Sequence, residues 1–128
     1  MEKTILFIMH TGIIGQGLHK NFQDNTEYHP VLTSDYKNAE LYLCDKTPET
    51  AVIEVPDHSL YPLSYCLEVG KRLKKAYPPC QVLLFLSYTY LDDILPEVVE
   101  AKRAGEIDGF TTANARIEEV IATIKSLG

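Results

Sequence analysis

Short apolar runs alternate along this chain with segments whose apolar residues recur at helical spacing. Thr4 to Met9 is a continuous apolar run bounded by polar residues, the pattern of a central strand covered on both faces. Thr11 to Phe22 places Ile13, Ile14, Leu18 and Phe22 near helical spacing and predicts a first helix. Tyr28 to Thr33 predicts a second strand, and Ser34-Asp35 is an N-cap signal for a helix over Tyr36 to Leu43 that packs through Ala39, Leu41 and Tyr42. Ala51 to Val55 predicts a third strand, preceded by the turn-forming Thr47-Pro48-Glu49 and stopped by Pro56-Asp57. Pro62 to Tyr77 carries Leu63, Cys66, Leu67, Gly70 and Leu73 along one stripe before Pro78-Pro79 ends it. Gln81 to Ser87 is the most hydrophobic predicted strand. A helix from Leu91-Asp92 through Ala104 follows, with Ile94, Leu95, Val98 and Ala101 inward and Gly105 as its C-cap. Gly109 to Thr112 predicts a short fifth strand, and Asn114 to Leu127 a last helix whose inner face is Ile117, Val120, Ile121 and Ile124.

Strict alternation of strand and helix implies a parallel sheet covered on both sides, because each right-handed crossover must lay its helix on the sheet. The predicted fold class is α/β, a flavodoxin-like (βα)5 doubly wound parallel sheet of order 2-1-3-4-5 in three layers, α/β/α. Its functional crevice lies beyond the carboxyl ends of the strands, at residues 10–12, 54–57 and 87–90. The 128 residues fit a single domain over 1–128.

Charge and composition narrow the function classes. With 45% hydrophobic and 23% charged residues a packed core is expected. A net charge of −6 argues against direct nucleic-acid binding, which needs Lys and Arg to displace counterions. Lys71, Arg72, Lys74 and Lys75 read as one solvated helix face, and Asp92-Asp93 as acidic residues favoured at a helix start. The apolar runs are too short to cross a membrane, and Met1 to Thr4 shows no secretory signal, so a cytoplasmic location is expected. Cys44, Cys66 and Cys80 form no C-x-x-C pair and predict neither a disulfide framework nor a metal site.

The run Glu100-Ala101-Lys102-Arg103-Ala104-Gly105-Glu106-Ile107-Asp108-Gly109-Phe110 resembles the fourth helix and fifth strand of the receiver domains of bacterial two-component response regulators. Pro48 to Glu54 is similar to that family's approach to its phosphoacceptor, and Gln81 to Ser87 to its strand four with a terminal hydroxyl. The resemblance runs over nearly the whole chain. It implies an acidic pair holding Mg²⁺ after strand one, an aspartate nucleophile on strand three and a lysine after strand five. Met9 and His10 stand where the acidic pair belongs, and neither a thioether nor an imidazole suits Mg²⁺. Glu54 stands at the phosphoacceptor position, with Asp57 the alternative in a register three residues longer. Ser87 matches the switch hydroxyl, Phe110 the switch aromatic, and Ala113 the lysine position, with Asn114 after it.

The resemblance therefore implies an atypical, non-enzymatic receiver with no metal and no cofactor, working through protein–protein contact or dimerisation in signal transduction and transcription regulation. Its surface would be the fourth predicted helix, the fifth strand and the last helix, with an output domain outside this chain. Ser87-Tyr88-Thr89-Tyr90 offers an aromatic-rich loop suited to an interface. The alternative is a small-molecule or phosphate-ligand site in the glycine-rich turn, with Thr11, Gly12 and Gly15 as contacts.

Overall fold

The computed structural model describes residues 3–56, 61–87 and 91–127, with the side chain of Leu91 left aside. The strands are β1 (Lys3–Ile8), β2 (Tyr28–Thr33), β3 (Pro48–Val55), β4 (Gln81–Leu86) and β5 (Gly109–Thr112). The helices are α1 (Gly12–Gln23), α2 (Leu63–Ala76), α3 (Leu91–Arg103) and α4 (Ile117–Leu127). All strand pairs are parallel, in the order β2-β1-β3-β4-β5. The predicted architecture is the one observed.

Alternation within the central strands divides the core in two. Leu6 and Ile8 of β1, Ala51, Ile53 and Val55 of β3, and Val82, Leu84 and Leu86 of β4 pack under Leu63, Cys66, Val69 and Leu73 of α2 and Val98 of α3. Ile5 and Phe7, Val52, Leu83 and Phe85 face the other way, under Leu18 and Phe22 of α1 and Val120 and Ile124 of α4. Each Val, Leu, Ile or Phe among them, fully withdrawn from water, stabilises the fold by roughly 1.5–3 kcal/mol. Among the described residues no helix is long and apolar enough to cross a membrane.

Prolines mark the strand limits. Pro48, expected in a turn, is the buried first residue of β3, where a missing N–H costs no ladder bond and the register with β1 shifts. Pro30 lies in β2, which pairs only with β1 and is therefore an edge.

The second predicted helix is a correction. Residues 36–43 contain only a 3-10 turn, Ala39–Leu43, ending at Cys44 and Asp45 in the left-handed region (φ 50° and 69°). A segment this short gains too few hydrogen bonds to offset helix nucleation. Asp35 caps a turn instead, its Oδ1 accepting from the Asn38 N–H at 3.0 Å. Tyr36, Ala39 and Leu43 are buried, whereas Leu41 and Tyr42 are exposed, contrary to the expectation that both pack. Ile13 and Ile117, expected inward, are also exposed.

The basic residues of α2 are not a uniformly solvated face. Arg72 donates through Nε and Nη2 to both carboxylate oxygens of Glu40, each at 2.8 Å, and through Nη2 to the Tyr36 carbonyl, which pins the 3-10 turn to α2. Lys71 pairs with Glu106 at 2.9 Å. Asp108 Oδ2 accepts from Lys74 Nζ at 2.6 Å and from the Val82 N–H at 2.8 Å, tying the starts of β4 and β5 to α2. Asp108→Ala should therefore cost about 1–3 kcal/mol in urea unfolding, because it strands a half-buried donor. Lys75→Ala, which changes only an exposed side chain, should stay within about 0.5 kcal/mol.

Candidate functional site

A glutamate in an otherwise apolar strand must either face water or find donors, since an unpaired buried carboxylate is prohibitively costly. Glu54 is 0% exposed, and it finds them. Oε1 accepts the Thr11 backbone N–H at 2.7 Å, and Oε2 accepts the Thr11 and Ser87 hydroxyls, each at 2.6 Å. The donors come from the segments following β1 and β4, so one side chain on β3 joins the carboxyl ends of the three central strands. Ser87 also lies 3.1 Å from the Val55 carbonyl, and its N–H donates to that same oxygen.

Thr11 is the N-cap of α1 and has the extended backbone of such a residue, yet its hydroxyl makes no capping bond. Glu54 has taken it. The loss of a side-chain cap, typically about 1 kcal/mol, is offset by a charge-assisted hydrogen bond of greater strength.

The backbone of Glu54 is held from the opposite face. The Tyr36 hydroxyl donates to the Glu54 carbonyl at 2.7 Å, and the Cys66 thiol donates to the same oxygen at 3.5 Å. Tyr36 stacks on Tyr61, with ring centres 3.9 Å apart and planes 14° from parallel, and Tyr65 extends the group. Burial pushes the Tyr36 phenol well above its ordinary value, with the Cys66, Glu54 and Tyr61 charges acting in the same sense and a hydrogen bond from the His10 backbone opposing them. Burial, reinforced by the Glu54 charge, pushes the Cys66 thiol up to about 12. Burial and the Asp108 charge raise Cys80 to about 11 against the opposing pull of Lys74.

The sequence-predicted positions divide. Glu54 and Ser87 meet, joined by Thr11. Met9 is buried beneath α1, with its Cβ and Cγ close to Gly15, and His10 is exposed with its ring edge-on to Tyr61 at 5.8 Å. These two residues do not make the oxygen cage that Mg²⁺ requires. Among the described residues no three or more His, Cys, Asp or Glu side chains gather in a metal-binding group. Ala113, at the end of β5, is exposed and donates its N–H to the Leu86 carbonyl, so the lysine position carries no cation. Phe110 pairs with Leu84 and packs half-buried on the α2–α3 side of the sheet, whereas Glu54 pairs with Phe85 and faces the α1 side. Asp57 and the Tyr88-Thr89-Tyr90 loop lie outside the described residues.

The glycine-rich turn is built for packing. A Cβ on Gly15 would meet Leu32 at 3.0 Å and Met9 at 3.1 Å, so this glycine lets α1 approach the sheet. Both Thr11 donors are already bound to Glu54, leaving exposed Gly12 alone of the three proposed ligand contacts. Tyr36 and Cys66 are the site residues that sequence reasoning missed. Their one signal was Glu54 itself, since a buried carboxylate needs a fixed backbone as well as donors.

The thiols supply a check. In the folded protein iodoacetamide should label exposed Cys44 alone, with Cys66 and Cys80 reacting only on unfolding. Because folding raises both thiols above the ordinary 9.0, the unfolded chain loses their protons first as pH rises. Stability should be unaffected by them below pH 9.0 and fall between 9.0 and about 12, by about 1.4 kcal/mol per pH unit for Cys66. Thermal melts of the wild type and Cys66→Ala across this window check the slope, which should be shallower in the variant.

No family model and no curated protein sequence matches the chain. Solved structures do resemble it. The chemotaxis protein CheY4 of Vibrio cholerae matches with a TM-score of 0.78 at 15% identity over 100% of both chains. A response regulator from Thermotoga maritima gives 0.77 at 12% identity, over 99% of this chain and 98% of that one. A CheY-like response regulator receiver domain protein from Methanospirillum hungatei gives 0.74 at 15%, over 98% and 93%. Likeness at such low identity is a likeness of fold: this chain has the flavodoxin-like architecture of CheY-type receivers, with Glu54, Thr11 and Ser87 bound to one another at its crevice.

Proposed function

We propose that this chain is an atypical receiver, a signalling module that acts by binding a protein partner and not by accepting a phosphoryl group. The observation that carries the reading is the buried Glu54 carboxylate, bound by Thr11 and Ser87 at the carboxyl end of β3. A phosphoacceptor must present a free oxygen to an incoming phosphorus, in line with the leaving group, beside cations that neutralise developing charge. Here both oxygens are occupied, the Mg²⁺ positions hold Met9 and His10, and the lysine position holds Ala113. The carboxylate instead draws the Ser87 hydroxyl inward.

The partner face in this reading is α3, β5 and α4. The outer side of α3 offers a shallow groove of about 470 Å³, with Leu95, Pro96 and Val99 flanked by Asp92, Glu100 and Arg103. That mixture of an apolar centre and a charged rim suits a reversible protein contact. In this reading the module works in the cytoplasm.

Acetyl phosphate with Mg²⁺ should add no phosphoryl mass to the intact protein. A stable gain of one phosphoryl group, lost in Glu54→Gln or Asp57→Asn, would overturn the reading. Glu54→Ala should cost about 3 kcal/mol or more by stranding the Thr11 and Ser87 donors, and Glu54→Gln about 1–2 kcal/mol, both read from urea unfolding.

A further inference from the structure

Two glycines lie in the interior of α1, and packing accounts for only one of them. A Cβ on Gly15 would crowd Leu32 and Met9, whereas a Cβ on Gly17 would have only Ile117 Cδ1 within reach, at 3.8 Å, which is ordinary contact. Gly17 is helical, so no turn asks for glycine there, and a glycine inside a helix destabilises it relative to alanine. What the missing side chain leaves is a recess of about 280 Å³ between α1 and α4. Leu18, Phe85 and Val120 line it and are at most 3% exposed, so it reaches the core, while Ile13 and Ile117 line it as exposed side chains.

The chemistry of the lining selects the occupant. All nine lining residues are Gly, Ala, Val, Leu, Ile or Phe, so no side chain in the recess offers a charge or a hydrogen bond. Backbone donors along its wall are committed as well: the Ala113 and Ala115 N–H groups donate to the Leu86 and Thr112 carbonyls, and that of Gly15 to Thr11. Ala113 stands where the receiver resemblance calls for a lysine, so no ammonium reaches the recess from β5. A phosphate, carboxylate or sugar placed here would give up its water and gain no partner. A neutral apolar ring loses nothing by entering, and Phe85 presents it with an aromatic neighbour. An apolar cavity of about 150 Å³ accepts one benzene, so this larger, half-open recess suits one or two fused rings.

We propose that this recess is a binding site for a small, neutral aromatic molecule of about the size of indole, held between α1 and α4 by burial of apolar surface. The glycine at position 17 keeps it open, at the expense of helix stability. The inference does not rest on the signalling reading, since it uses neither Glu54 nor the α3 groove.

Titration of the full chain with indole, followed by two-dimensional amide NMR, tests it. The shifts should saturate as for one site and cluster at residues 13–18, 113–120 and Phe85. Indole-3-acetate, the same ring carrying a carboxylate, should bind about tenfold or more weakly, because its charge finds no partner. Gly17→Leu fills the recess and removes the glycine from the helix, so it should melt at the wild-type temperature or above and yet bind indole about tenfold or more weakly. Ala113→Leu, a change at an exposed position, narrows the same recess from the end of β5 and should weaken binding in the same direction, which keeps the test decisive if Gly17→Leu does not fold. The proposal is overturned if no saturable shift appears up to the solubility limit of indole, or if a folded Gly17→Leu protein binds indole as tightly as the wild type. Equal binding of indole-3-acetate overturns it too, since the recess would then not select a neutral ligand.

Discussion

A carboxylate buried at the end of a central strand is the constraint around which this molecule is arranged. Glu54 has no exposure, and desolvation of an unpaired carboxylate would cost more than the marginal stability of a domain this size. Three donors, two from Thr11 and one from Ser87, offset that cost, and each residue must be brought in by a different requirement of the chain. Thr11 must stop β1 and start α1 with its N–H pointing back at the sheet, and Ser87 must leave β4 with its hydroxyl turned toward β3. The crevice that in this topology ordinarily receives a ligand is thus closed from within, by hydrogen bonds between its own walls.

Because the side chain is fixed on one face of β3, the peptide has to be fixed on the other. Tyr36 and Cys66 both donate to the Glu54 carbonyl, and the burial that makes them good neutral donors also raises their pKa values. Tyr36 can reach that position only if the chain after β2 turns inward, and Arg72 holds it there by binding Glu40 and the Tyr36 carbonyl together. The failure of residues 36–43 to form a full helix belongs to the same arrangement. A regular helix starting at Tyr36 would compete with the inward turn that delivers its hydroxyl to β3.

Where hydrophobic period and burial coincide, the sequence was sufficient. Ile5 to Ile8, Val82 to Leu86 and the stripe of α2 have no alternative placement in a sheet covered on both faces, and strand order follows from the handedness of the crossovers. Glu54 and Ser87 were legible as crevice positions because both lie at carboxyl ends of strands that point into one crevice, but their bond to each other was not read. Three things were not. Short segments such as 36–43 depend on tertiary contacts like Arg72 with Glu40, which no local pattern encodes. Ile13 and Ile117 satisfy helical spacing, but spacing fixes only an angle around the axis, and the first turns of α1 and α4 project past the edge of the core. The roles of Tyr36 and Cys66 depend on a carbonyl, which every residue has, so their side-chain chemistry did not advertise them.

The closed crevice also limits how this chain can change state. In a domain whose position 54 carried a free nucleophile, ligand chemistry at the crevice would set the position of Ser87. Here Ser87 and Thr11 are already bound to the same carboxylate, so a second arrangement requires breaking charge-assisted bonds in a half-buried setting, each worth roughly 1.5–3 kcal/mol. A partner with equal affinity for both arrangements would shift nothing, however tightly it bound. In the reading proposed above, a partner can act on this fold in one of two ways: by contacts with α3 or α4 that exceed the strength of those bonds, or by occupancy alone, with the rigid Glu54 cluster keeping each face in a single form. The double anchoring of Glu54, through its carboxylate and its carbonyl, favours the second. A residue held from both faces of a sheet makes a poor hinge and a good fixed point.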